Sequence, residues 1–264
     1  MLFDRVKPLD AILATAEKKS LHRSLGAFQL TMLGIGAVIG TGIFVLTAEA
    51  AQKAGPGMML SFIIAGFVCA VAALCYAEMA AMVPVSGSAY TYSYAVMGEL
   101  LAWMVGWALV LEYAVAAGAV SVGWSGYFVG LLREYLSISL PQEIVNANAL
   151  IAQIKLAFGA AQTPELTTAL EVGGYINLPA FVIALLVTWL LVIGTRESAS
   201  VNAVLVSIKV TALTLFIVLA LPVMKMQNFE PFSPLGFSGI GAAAASIFFA
   251  YVGFDAVSTA AEET

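Results

Sequence analysis

Segment 33–44 reads Leu-Gly-Ile-Gly-Ala-Val-Ile-Gly-Thr-Gly-Ile-Phe, with glycines at 34, 36, 40 and 42. Each glycine costs a helix interior about 1 kcal/mol relative to alanine and opens backbone angles that other residues avoid. Three chemistries compete for such a segment. Gly34, Gly36 and Gly40 come near a dinucleotide loop, but no strand precedes them, the spacing is one residue too long, and the surroundings are apolar. Gly36-x-x-x-Gly40 would let two helices approach closely. A break in the helix would instead expose backbone donors and acceptors.

A second interrupted segment favours the break. Residues 242–261 place Gly253 and Asp255 in the middle of an apolar run. An aspartate there is costly unless something stabilises it. A break at about 250–253 would put Asp255 in the first turn of a new half-helix, beside its positive dipole end. The competing reading is an intact helix with Asp255 facing a water-filled cavity. With two breaks, amides near Gly40, Thr41 and Gly42 suit a carboxylate. The carbonyls around 37–39, Ile39 included, and around 248–250 would accept from an ammonium. Together they complement the two charged ends of a free amino acid.

Three other ionisable positions stand out. Lys209 lies about eight residues inside an apolar stretch, so about 12 Å deep at 1.5 Å per residue. A lysine at that depth is a functional candidate, unless its ammonium reaches the interface. Glu112 sits well inside its stretch and would either neutralise a basic substrate side chain or pair with a neighbouring helix. Glu78 is nearer a span end, where an interfacial role is the common one. His22 reads as solvated. Cys69 and Cys75 are too few for a disulfide framework or metal site, so neither a metal nor another cofactor is expected. No nucleophile–base pair is visible, no catalytic residue is assigned, and an enzyme is disfavoured.

The elements that must hold these groups follow from composition. Apolar residues make up 61% of the 264-residue chain and charged residues 10%, with mean hydropathy +0.97. Soluble domains carry about 25% charged residues, so lipid must be the solvent here and an all-α integral membrane protein is expected. Charge-free windows run 24–48, 54–77, 172–195 and 231–254; 100–132 holds only Glu112, and 198–224 only Lys209. Each can hold the roughly 20 residues that cross hydrocarbon. Six helices are expected, near 27–52, 58–83, 97–130, 178–194, 200–222 and 240–264, the third tilted or projecting.

Arg5, Lys7, Lys18, Lys19 and Arg23 precede the first span, five of eleven basic residues. This places the 1–26 tail in the cytoplasm and the 133–177 loop outside. A multi-pass protein of the plasma membrane is expected, with lipid and an amino acid as partners and no nucleic acid. The net charge of −5 says little about partners.

Segments 33–44, 84–92 (Pro-Val-Ser-Gly-Ser-Ala-Tyr-Thr-Tyr) and 248–258 (Phe-Phe-Ala-Tyr-Val-Gly-Phe-Asp-Ala-Val-Ser) resemble, in order, the amino acid–polyamine–organocation permeases, above all the cationic amino acid transporters and their bacterial relatives. The resemblance runs from about Leu25 to Thr264. It implies an inverted-repeat transporter fold of five plus five helices, truncated here to the first repeat and the sixth helix, with the first and sixth broken at mid-membrane. It also implies that Gly40, Thr41 and Gly42 meet the substrate carboxylate. Phe249, Ala250, Tyr251, Val252 and Gly253 would meet the amino group, with Phe249 as an aromatic gate. In similar members a lysine matching Lys209 occupies the place of a coupling sodium ion, which implies proton-coupled symport.

Three function classes result: uptake of basic or small neutral amino acids driven by a proton gradient; a non-transporting fragment that associates with membrane partners; and an exchanger or exporter on the same fold. The resembled fold needs four more helices, so a C-terminal half or a membrane partner is expected to complete it.

Overall fold

Apolar runs bounded by glycine, proline and charge become helices in this chain. The computed structural model describes residues 6–18, 25–40, 42–193 and 195–263, with backbone alone at 9, 15–18, 195–199 and 263. Thr41 and His22 lie outside the described residues. The helices are α1 (Leu9–Lys18), α2 (Ala27–Val38), α3 (Thr47–Ala54), α4 (Met58–Met82), α5 (Ser88–Val96), α6 (Glu99–Tyr135), α7 (Gln142–Val145), α8 (Asn148–Ala157), α9 (Pro164–Val172), α10 (Leu178–Ile193), α11 (Thr195–Ala220), α12 (Gly236–Phe248) and α13 (Ala256–Thr259).

Among the described residues, four helical stretches are long and apolar enough to cross a membrane: Ala27–Met82, Glu99–Tyr135, Ser200–Val223 and Gly236–Thr259. The first, 56 residues long, is divided at the turn Gly55–Gly57. Leu178–Ile193 is apolar but shorter, at 16 residues about 24 Å against a core of about 30 Å. At 37 residues, α6 extends about 55 Å, too long to stand upright in hydrocarbon. Large side chains point outward along these helices, among them Phe67, Leu74, Trp103 and Phe216. Contiguous apolar surface of this extent needs lipid around it. The chain is a multi-pass membrane protein.

The chain divides into two compact units, Met1–Tyr113 with Gly194–Thr264, and Ala114–Ile193. In the first, α12 packs on α3 and α4 around Ala50, Ala54, Ala65, Ile240, Ala243 and Ile247. Four of these six are alanine, and small residues let backbones approach where lipid supplies no hydrophobic drive between helices. Ser61 Oγ donates to the Ile240 carbonyl at 2.8 Å inside that core. Separately, α11 packs on α2, and α13 on α2, α4 and α5.

The second unit holds 133–177, the stretch expected as the loop between the third and fourth spans, and it contains α7, α8, α9 and β1. Thr163 caps α9 by accepting the Leu166 amide, and α8 packs against α9. Val145 and Asn146 bridge antiparallel to Asn177 and Ile176, the two residues of β1. Asn177 Oδ1 accepts from Ser125 Oγ at 2.7 Å and from the Ala180 amide at 3.0 Å, tying the head of α10 to α6.

Candidate functional site

Both glycine-bearing segments are unwound. α2 ends at Val38, Ile39 leaves helical geometry at φ −81°, ψ 71°, and Gly40 follows in a bend. The chain resumes as a single π-helical turn, Gly42–Leu46, before α3. In the later segment α12 gives way to a 3₁₀ turn, Phe249–Tyr251, then to extended Val252 and to Gly253 at φ +113°. That φ is open to glycine and strained for any residue with a Cβ, which is why the interruption falls there.

The two breaks meet. A Cβ on Gly42 would fall on the Cβ of Ala250, and a Cβ on Gly253 would lie 3.0 Å from that of Ala37. Gly42 and Gly253 are buried. Hydrogen has to stand in the place of a side chain at both points for the second break to lie against Gly42 and against the last turn of α2.

Lys209 on α11 points into the first break. Its Nζ donates to the Ile39 carbonyl at 2.7 Å and to the Gly36 carbonyl at 3.2 Å. In a continuous helix the Gly36 carbonyl would take the Gly40 amide, but that amide donates to Val38 at 2.9 Å. The break thus releases the acceptors that the ammonium takes up, and a half-buried cation gains the partners it needs. Two turns earlier on the same face, Asn202 Nδ2 donates to the Met32 carbonyl at 3.2 Å. The matched order of these contacts makes α2 and α11 run parallel.

The acids behave differently from one another. Asp255 is 4% exposed. It precedes α13, which has four residues, and makes no capping bond. The structure places Asp255 at the start of the new half-helix, as expected, and its Oδ2 also accepts from the Tyr113 hydroxyl at 2.6 Å. Glu112, next to Tyr113 on α6, is half-buried, while Glu78 is exposed on α4 and makes none of these contacts.

Of the carbonyls expected to meet an ammonium, Ile39 is engaged by Lys209 and Phe249 accepts the Val252 amide at 3.3 Å. Phe249, Ala250 and Val252 are half-buried at the second break. The Tyr251 hydroxyl turns away to donate to the Phe62 carbonyl on α4 at 3.1 Å. Beside the breaks, Gly34 and Val38 of α2, Tyr76 of α4, and Phe254, Val257 and Ser258 line a mostly apolar crevice of about 530 Å³.

Sequence reasoning missed Tyr113 and Asn202. Each is a hydrogen-bonding side chain in an apolar stretch, and Asn202 lies seven residues before Lys209, on the same helix face. That spacing was the available signal. It also missed a polar link between α3 and α12, where Lys53 Nζ donates to Glu49 Oε1 and, at 2.6 Å, to Ser246 Oγ. No group of three or more metal-ligating side chains occurs among the described residues.

Residues 25–264 match the family described as "Amino acid permease". The chain is 50% identical over 255 residues to the branched-chain amino acid permease BcaP of Bacillus subtilis (strain 168), covering 97% of this chain and 51% of that protein. It is 46% identical over 260 residues to the methylthioribose transporter of the same organism, covering 98% and 52%. With cationic amino acid transporter 4 of Homo sapiens it shares 35% identity over 265 residues, covering 98% and 38%. The chain spans about half the length of the two bacterial relatives.

Proposed function

Because this chain belongs to the amino acid permease family, we propose that it forms the substrate-binding part of a secondary active amino-acid transporter. The family points to a carrier and away from an enzyme. The observation that carries the reading is the meeting of the two interruptions, Gly42 on Ala250, with Gly253 set against Ala37 in the last turn of α2 and Lys209 bound to the Gly36 and Ile39 carbonyls beside them. Unwound backbone is tolerated in a membrane protein where it is buried or lines a cavity. Its amides favour a carboxylate and its carbonyls an ammonium.

On this reading Gly40, Thr41 and Gly42 hold the carboxylate, and the 249–253 segment holds the amino group. Small neutral or basic side chains are the substrate class. On this reading Glu112, half-buried on α6, would neutralise a basic one. The inverted-repeat fold of five plus five helices, with a second half or a membrane partner completing it, belongs to the same proposal, as do the plasma membrane and a cytoplasmic N-terminus.

Lys209 would couple transport to protons. Charged, it holds the first break by two carbonyls; neutral, it holds them weakly and frees that end of α2. The proton gradient then serves as the energy source, with no cofactor.

A second reading rests on the 46% identity to a methylthioribose transporter. A sugar thioether has neither carboxylate nor ammonium, so the two readings separate by competition. Purified protein in nanodiscs should bind a radiolabelled small neutral or basic amino acid, displaced by other zwitterions and not by methylthioribose. Displacement by methylthioribose alone would sink the amino-acid reading. Uptake into proteoliposomes with and without an inward proton gradient then distinguishes symport from exchange or export.

A further inference from the structure

We propose that α1 is a latch that holds the segment following the second break. Ile12 of α1 is 5% exposed and packs with Val83, Val85 and Tyr92. The amide of Lys7, two residues before α1, donates to the Tyr94 carbonyl on α5 at 3.3 Å. Val83 and Val85 belong to the short linker between α4 and α5, so the apolar grip of α1 falls on that linker.

The far side of the linker reaches the second break. Ser86 donates to Glu262 Oε2 from its amide at 3.0 Å and from Oγ at 2.8 Å. Ser258 Oγ on α13 donates to Ser88 Oγ at 2.7 Å, and both serines are buried. The linker is therefore gripped by α1 on one side and by the turn after α13 on the other, while α13 itself holds Ser88 at the start of α5.

The grip matters because α13 is one turn long. A helix of that length has no stability of its own and takes its position from its neighbours. It also lines the crevice: Val257 lies against Gly34 of α2, and Ser258, with Pro84 of the linker, lines the same space. While Ile12 is seated, linker and α13 are fixed and the crevice keeps its width. When Ile12 leaves, the linker loses its apolar backing, and α13 is free to move away from α2. These contacts exist whichever solute the protein carries.

The test reads the exposure of α13 directly. In the full chain with Cys69 and Cys75 replaced by serine, Ala260→Cys places a thiol at a position that is 9% exposed, immediately after α13. Its alkylation by N-ethylmaleimide in native membranes should be slow. Ile12→Asp sets a charge in the apolar seat and should speed it about tenfold or more, by raising the population of locally open states. Ile12→Ala should give a smaller acceleration and Ile12→Val nearly none. A control thiol, Ala65→Cys in the α3–α4–α12 core, should stay slow throughout. Unchanged labelling of the Ala260→Cys thiol when Ile12→Asp is added overturns the latch. Equal acceleration at both thiols also overturns it, since that is general loosening rather than release of α13.

Discussion

The two halves of the first broken span are held by opposite means. α3 lies against α12 mainly through alanines, Ala50 and Ala54 meeting Ala243, with one partly exposed polar link from Lys53 and Glu49 to Ser246 at its side. α2 lies against α11 through side chains that bond its carbonyls, Asn202 to Met32 and Lys209 to Gly36 and Ile39. Packing of small residues is permanent, because undoing it opens a void. A bond from a titratable ammonium is conditional. Stability thus rests with one half and switching with the other, with the unwound residues between them as the joint.

Substitutions can break that division, and the largest effect belongs at the joint. Gly42→Leu sets a side chain on Ala250 and should cost about 3 kcal/mol, at the upper range for overpacking, with loss of amino-acid binding. Thermal unfolding in detergent and equilibrium binding would check it. Next, Ala243→Leu forces apart α12 and α3 at a fully buried position and should cost about 1–3 kcal/mol. If it leaves the melting temperature unchanged, the permanent half of the comparison is wrong.

Lys209→Ala should fold and bind but lose proton-driven uptake, by roughly tenfold or more, since it removes two charge-assisted contacts of about 1.5–3 kcal/mol each. Full uptake that still depends on the gradient would remove the switching role. Asn202→Ala removes one neutral bond to a carbonyl and should cost about 1 kcal/mol, seen as a small fall in melting temperature with coupling retained. Ser246→Ala trims the partly exposed link to Lys53 and should change stability by about 0.5 kcal/mol or less. A larger loss there would mean that polar contacts matter in the packed half as well.

Much of the site was legible because its chemistry is local. Glycines at alternate and four-residue steps have two physical uses inside an apolar helix, close approach and unwinding: Gly36 serves the first against Asn202 and Val206, and Gly42 and Gly253 stand at the interruptions. Lys209 stands out by depth alone. Asp255 reads as costly, yet its remedy is not local: the sequence shows the charge but not that Tyr113, 142 positions away, supplies the hydrogen bond. The folding of 133–177 was illegible for a similar reason. Asn146, Asn177 and Ser125 read as ordinary polar residues until the chain returns on itself and pairs them.

The sequence by itself determined the solvent and the weak points of the helices. Burying 61% apolar residues requires lipid, and a glycine's missing side chain acts within its own residue. Tertiary structure decided which groups satisfy one another: Lys209 with Ile39, Tyr113 with Asp255, Ile12 with the linker that holds α13. Those choices depend on where distant segments come to rest, and hydrogen bonding or packing between segments so far apart in the chain leaves no periodic trace in it.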